Sequence, residues 1–155
     1  FVPALVSDGF VLNESLAILE WLEENFPAPA LLPMLSIDRV KVRQLSLIFV
    51  AGVQPLQNLN TQKYFSNDSK KREAWAKKWI IDGLNNFETV VSSCSGKYSF
   101  KDSVTFADLC LIPQCYNALR FGIGLESFPI IERIYKTCLK DEACKLSSPD
   151  SFKPK

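Results

Sequence analysis

Apolar and polar positions change period near residue 14 and do not change back. Val2, Leu5 and Val6 are strand formers, Ser7-Asp8-Gly9 carries turn chemistry, and Phe10-Val11-Leu12 reads as a second strand. Helical spacing then takes over. Leu16, Ile18, Leu19 and Leu22 form an apolar stripe from about Ser15 to Phe26, with Glu20, Glu23 and Glu24 on the wet side. Asn13 and Ser15 are both suited to cap this helix, and Pro27-Ala28-Pro29 ends it. The segment PAPALLPMLSIDR suits neither helix nor strand, because prolines are too dense, and it is read as a linker. A lone hairpin is marginal in water, and no later segment reads as a strand. The opening is therefore expected to be the tail of a sheet whose other strands lie outside this chain.

After the linker every periodic segment is helical. From Ile37 to about Tyr64 the pattern carries Val40, Leu45, Ile48, Phe49, Leu56 and Leu59, and Pro55 inside it predicts a kink or break. FSNDSKK reads as a loop. A helix over about 70–92 places Trp75, Trp79, Ile80, Leu84, Phe87, Val90 and Val91 together, and SSCSGKYSFKDS is a second loop. In SVTFADLCLIPQCYNALRFG, Thr105-x-x-Asp108 is a capping-box start. Phe106, Leu109, Leu111, Ile112 and Cys115 are too apolar all round for a surface helix, so this segment is expected to be the buried centre of a bundle, with Pro113 inside it. Phe128–Leu139 is a helix opened by Pro129, a short one follows at 141–147, and SSPDSFKPK is a tail. The expected architecture is the C-terminal part of an α/β domain over 1–29, then an all-helical domain of five helices over 36–150.

Charge narrows the function. Eighteen basic and 17 acidic residues give a net charge of +1, which argues against a nucleic-acid surface. LSLIFVAGV at 45–53 is far short of the roughly 20 apolar residues a membrane span needs. Histidine is absent, which removes Ser-His-Asp and Cys-His catalysis and most zinc sites. The five cysteines, Cys94, Cys110, Cys115, Cys138 and Cys144, are odd in number and form no Cys-x-x-Cys pair; they read as buried free thiols of a reducing compartment. No residue of the chain is assigned as catalytic or metal-binding.

Three groups of residues could still bind a ligand. Glu14-Ser15 lies at a helix N-terminus, where free N–H groups and the dipole favour an anion; an ordinary cap would look the same. Gln54, Gln57, Asn58 and Asn60 surround Pro55 and could serve a peptide-like ligand, or could satisfy the backbone groups that the proline frees. Arg120 ends an apolar helix, where it could grip a carboxylate bidentately or complement the helix C-terminus. Gly122-x-Gly124 follows no strand, so a dinucleotide loop is not expected. Lys70-Lys71-Arg72 reads as a solvated helix start, and Trp75 and Trp79 as core.

The words VPALVSDG, ESLAILEWLEE, LLP, VAGVQPLQNLN, VTFADLCLIPQ and NALRF, in this order, resemble the glutathione transferase superfamily, and most closely its zeta class. The resemblance implies part of a thioredoxin-like domain followed by the all-helical domain of that family. It implies a cis Val2-Pro3 bond, with the backbone of Val2 facing the cysteinyl part of glutathione. Ser15 would hold the γ-glutamyl carboxylate and Glu14 the ammonium group. Gln54 and the Asn58-Leu59-Asn60 segment would contact glutathione from the helical domain, and Arg120 would bind a dicarboxylic substrate. The class implies glutathione-dependent isomerisation of maleylacetoacetate to fumarylacetoacetate, in a cytoplasmic homodimer. It also implies a first βαβ unit upstream, carrying a Ser/Cys-rich motif beside the glutathione sulfur. The alternatives are a transferase acting on α-halo acids or peroxides through the same thiolate, and a non-catalytic form that binds glutathione or dimerises.

Overall fold

A computed structural model of the chain describes residues 2–152. It opens with strands β1 (Ala4–Ser7) and β2 (Phe10–Asn13), paired antiparallel with Ala4 opposite Asn13 and Ser7 opposite Phe10. Asp8 and Gly9, the two turn residues, both have positive φ (43° and 85°), as a tight hairpin with the native strand twist requires. Helix α1 (Ser15–Asn25) follows. Neither Asn13 nor Ser15 caps it. Asn13 is still in the strand, and Glu14 takes the cap position with φ 72° and no side-chain hydrogen bond. Leu16 and Leu19 pack against the main core.

The linker is fixed by α1. The Glu23 carboxylate accepts hydrogen bonds from the backbone N–H groups of Leu31 (2.8 Å) and Leu32 (3.0 Å). Glu20 and the Arg43 guanidinium form a two-pronged pair between α1 and the first helix after the linker (2.5 and 2.9 Å). The Arg43 contact holds the Glu20 carboxyl below the usual range despite partial burial.

The helical part contains α2 (Ser36–Val50), α3 (Gln54–Gln57), α4 (Leu59–Phe65), α5 (Ser69–Val91), α6 (Phe106–Arg120), α7 (Pro129–Cys138) and α8 (Glu142–Leu146). The single kinked helix expected over 37–64 is thus three. Chain direction breaks at Ala51–Val53, and Pro55 sits in the first turn of the short α3, where a missing N–H costs nothing. Val40 and Leu59 are exposed rather than buried, since α2 turns one face outward and α4 lies at the surface. The FSNDSKK loop is shorter than expected: α5 begins at Ser69, capped by the Asp68 carboxylate, which accepts from Lys70 N–H (2.8 Å). The expected tail winds into a 3-10 turn at Pro149–Phe152.

The bundle centre is α6, as its composition predicts. Phe106, Ala107, Asp108, Cys110, Leu111, Gln114, Cys115 and Ala118 are all buried, packed among Phe49 of α2, Phe87 of α5 and Ile131 of α7. Its start is the expected capping box. The Asp108 carboxylate accepts from Thr105 N–H (2.9 Å), Thr105 Oγ1 (3.2 Å) and, beyond the box, Ser99 N–H (2.8 Å). Burial pushes the Asp108 carboxyl up, against the hydrogen bonds that favour its ionised form. At the other end, Gly122 (φ 70°) closes α6. Gly122 N–H reaches Leu119 O and Ile123 N–H reaches Ala118 O, both at 3.0 Å, which is a Schellman cap and accounts for the glycine.

Candidate binding site at the start of α1 and the end of α6

Hairpin register places two predicted pieces side by side. With Ala4 opposite Asn13, the next residues outward are Pro3 and Glu14, so Val2-Pro3 and Glu14-Ser15 share the open end of the hairpin. The Val2-Pro3 bond is cis. Glu14 is a non-glycine residue in the left-handed region, a conformation that persists where surrounding structure imposes it and that clusters at binding sites. The first turn of α1 has no side-chain cap, so its N–H groups stay open to an anion.

The second part lies on α3, α4 and α6. Alone, the four residues of α3 would not hold, for none of them is buried. Side chains from elsewhere tie it down. Thr61 Oγ1 donates to Pro55 O (2.8 Å), Trp75 Nε1 to Leu56 O (2.8 Å), and Gln62 Nε2 to Gln57 O (2.6 Å). Carbonyls near Pro55 are therefore satisfied by Thr61, Gln62 and Trp75, not by the amides singled out in the sequence. Gln54 is half-buried and makes no hydrogen bond through its side chain with the described residues. Asn58 caps α4 by accepting from Asn60 N–H (2.9 Å), and Asn60 is exposed.

Gln57 is a hub. It exchanges hydrogen bonds with Gln114 in both directions (3.0 and 3.1 Å), and its Oε1 also accepts from Asn117 Nδ2 (3.0 Å). A cavity of about 390 Å³ opens above it, lined by Gln57, Leu59, Gln62, Glu73, Asn117, Arg120 and Phe121. Of the residues predicted to bind, Leu59 and Arg120 line it. Gln54, Asn58 and Asn60 belong to the same α3–α4 segment without lining it, and Val2, Glu14 and Ser15 lie at the hairpin end instead. Arg120 is exposed and forms no ion pair with the described residues, while Glu73, which lines the same cavity, pairs with Lys77 (2.7 Å). That contact lowers the Glu73 carboxyl below its ordinary range. The cavity thus offers one available cation over a floor of neutral amides, a chemistry suited to a carboxylate with uncharged oxygens nearby.

The chain's own thiols are poor nucleophiles. Burial pushes Cys110 up to about 11 and Cys138 to about 12, raises Cys115 further still, and raises the half-buried Cys94 and Cys144 as well. Among the described residues no cluster of His, Cys, Asp or Glu could hold a metal ion, and no helix is long and apolar enough to cross a membrane.

Sequence reasoning singled out the Gln54–Asn60 stretch and Arg120. Gln57, one of the amides named around Pro55, lines the cavity, whereas Gln62, Glu73, Asn117 and Phe121 line it without a ligand role expected from the sequence. Asn117 and Phe121 stood within the NALRF stretch, and their spacing to Arg120 was the available signal.

A hairpin and helix of thioredoxin-like type joined to a helical bundle, with open polar groups at the hairpin end and at the bundle cavity, defines the glutathione transferase fold. The comparisons agree. The family profile described as "Glutathione S-transferase, N-terminal domain" matches residues 1–30, and "Glutathione S-transferase, C-terminal domain" matches 55–143. Maleylacetoacetate isomerase of Rattus norvegicus is 44% identical over 148 residues, covering 96% of this chain and 68% of the relative. The crystal structure of maleylacetoacetate isomerase from Anaeromyxobacter dehalogenans 2CP-1, with GSH bound in its active site, is 39% identical with a TM-score of 0.92, covering 97% of this chain and 72% of that one. The holo structure of a maleyl pyruvate isomerase, a bacterial glutathione S-transferase in zeta class, is 36% identical with a TM-score of 0.89, over 97% and 76%. The chain belongs to the glutathione S-transferase family.

Proposed function

We propose that this protein is a glutathione-dependent isomerase that converts maleylacetoacetate to fumarylacetoacetate, a step of tyrosine and phenylalanine breakdown. The observation that carries the reading is 44% identity to a maleylacetoacetate isomerase along nearly the whole chain. The open N-terminus of α1 and the left-handed Glu14 fit a peptide-like anion, so the residues present suit glutathione.

In this reading Val2 offers its backbone, Ser15 and the first turn of α1 hold the γ-glutamyl carboxylate, and Glu14 faces the ammonium group. Gln54, Asn58, Leu59 and Asn60 approach glutathione from the helical side. Arg120 grips a substrate carboxylate, and the amides of Gln57 and Asn117 offer hydrogen bonds to uncharged oxygens. Glutathione, when bound, supplies the thiolate that adds reversibly to the conjugated cis double bond and lets it rotate. This chain orients that sulfur and the substrate, and supplies no thiol of its own, in keeping with the raised cysteines. We place the domain boundaries at residues 29 and 36.

We also infer a cytoplasmic homodimer. The five free cysteines support a reducing compartment. Ile37, Val40 and Leu47 stand exposed at helical spacing on α2, a stripe suited to a second copy.

The test is turnover of maleylacetoacetate by the full-length protein with and without glutathione, beside dichloroacetate as a competing α-halo acid. The reading expects glutathione-dependent formation of fumarylacetoacetate and a KM at least about tenfold higher in Arg120→Ala, from loss of a charge-assisted contact. Turnover of dichloroacetate alone would overturn it.

A further inference from the structure

Arg120 and Asn117 sit one turn apart on α6, so they face the cavity together. Across the cavity is α3, which has no buried residue to hold it in place. Besides the bonds to its carbonyls from α4 and α5, one side-chain link joins α3 to α6: the reciprocal amide pair of Gln57 and Gln114, extended by Asn117. Gln114 is 2% exposed and does not line the cavity. Both ends of its amide are engaged by Gln57, a geometry that fixes the rotation of each amide as well as its distance.

We propose that Gln57 and Gln114 form a positioning pair that sets the Asn117–Arg120 face of α6 against the α3–α4 segment, and so tunes the grip on an acceptor carboxylate. The inference rests on the carboxylate role given to Arg120. The pair does no chemistry. Gln114 never reaches the ligand, and its influence passes through Gln57 and Asn117. A network whose members are all satisfied is rigid; removing one leaves the remaining amides to seek other partners, and the cavity floor shifts.

The test uses the full-length protein loaded with glutathione, with malonate as a dicarboxylate probe and binding read by calorimetry. Four forms are compared: wild type, Gln114→Met, Arg120→Ala and the double variant. Gln114→Met keeps length and volume and removes both hydrogen bonds. It should weaken malonate binding about tenfold, the scale of about one to two hydrogen bonds lost from the setting of the cavity floor. Glutathione affinity should stay within about twofold, and on the Arg120→Ala background the substitution should add less than about twofold, because its effect travels through the arginine's setting. Gln114→Glu, which keeps an acceptor for Gln57 Nε2, should restore part of the loss and carries the test should Gln114→Met fail to fold. Unchanged malonate affinity in a Gln114 variant that merely melts earlier would reduce the pair to a structural contact. A loss equal on both backgrounds would overturn the route through Arg120. If Arg120→Ala itself leaves malonate binding intact, the carboxylate grip fails first, and that result is separate from the other two.

Discussion

Replacing Asp108 by alanine should unfold the protein more readily than any other single polar substitution in the bundle. Its carboxylate accepts from Ser99 N–H at 2.8 Å, Thr105 N–H at 2.9 Å and Thr105 Oγ1 at 3.2 Å, and Asp108 itself is fully buried. Ser99 and Thr105 are buried too, so water cannot take over the abandoned donors. Each orphaned buried donor costs about 1–3 kcal/mol. The two backbone N–H groups together give about 4 kcal/mol, with the hydroxyl free to rotate toward another acceptor. A domain of this size loses roughly 2–4 °C in Tm per kcal/mol, so Asp108→Ala should melt roughly 8–16 °C below wild type. Asp108→Asn keeps one acceptor oxygen and turns an NH2 toward the remaining donors, so it should fall between the two. Thermal unfolding followed by circular dichroism at neutral pH reads all three. A melting point for Asp108→Ala within about 2 °C of wild type would refute the accounting, because a buried donor cannot be abandoned at so small a cost. The consequence for function follows from position: α6 carries Gln114, Asn117 and Arg120 two to three turns further on, so activity should track the folded fraction.

Four further outcomes are expected. Glu20 is held below the ordinary carboxyl range by Arg43, so this pair stabilises the fold above the unfolded value of 4.5 and is lost as pH falls through the lower folded value; denaturant titrations should show Glu20→Gln losing about 1 kcal/mol less than wild type on acidification, and parallel acid limbs would contradict it. Glu88 accepts from Ile130 N–H (2.8 Å) and Ile131 N–H (2.9 Å), capping α7 from α5; Glu88→Ala should cost about 2 kcal/mol in urea unfolding, and a cost near zero would mean α7 caps itself. Gly122→Val forces a β-branched residue to φ 70° at the α6 cap and should cost about 1–2 kcal/mol by the same measurement, with Gly122→Asn much milder. Native protein treated with a thiol reagent at mildly alkaline pH should leave Cys110, Cys115 and Cys138 unlabelled, since burial raises all three, whereas denatured protein labels all five cysteines; fast native labelling of Cys115 would show that the bundle opens.

What was legible in the sequence is what local chemistry dictates. The hairpin follows from Asp8-Gly9 between two apolar runs, and the capping box from Thr105 and Asp108 three residues apart. The burial of α6 follows from apolar residues, Phe106, Leu109, Leu111, Ile112 and Cys115, set on every side of it. The break over 51–58 was legible as a proline, but its outcome was not. Pro55 could kink one helix or open another, and the choice was made by distant side chains, Trp75 and Gln114, that hold α3 where it lies. The α1 cap falls at Glu14, not at Asn13 or Ser15, for a related reason. Asn13 and Ser15 both have capping chemistry, yet strand pairing runs through Asn13 and fixes where the helix can begin, which leaves Glu14 to take the left-handed turn.

The residues proposed to bind ligand divide along the same line. Those set by helix ends, Glu14, Ser15 and Arg120, can be found from a single segment, because a helix terminus announces its charge preference locally. The cavity floor cannot. Gln57 and Gln114 are 57 positions apart, and each alone is an unremarkable amide. Only the packing of α3 against α6 makes them partners, and once they are, burial of Gln114 turns a weak preference into a constraint, since its amide has Gln57 and not water to bond. A substitution at Gln114 that preserved hydropathy and helix propensity would look harmless along the chain and would still remove the one reciprocal contact that orients the floor beneath Arg120. The residues that select a ligand therefore need not be those whose types suggest ligand chemistry. In the proposed arrangement a pair chosen by the fold, Gln114 buried and Gln57 at the cavity floor, sets how the exposed arginine is presented.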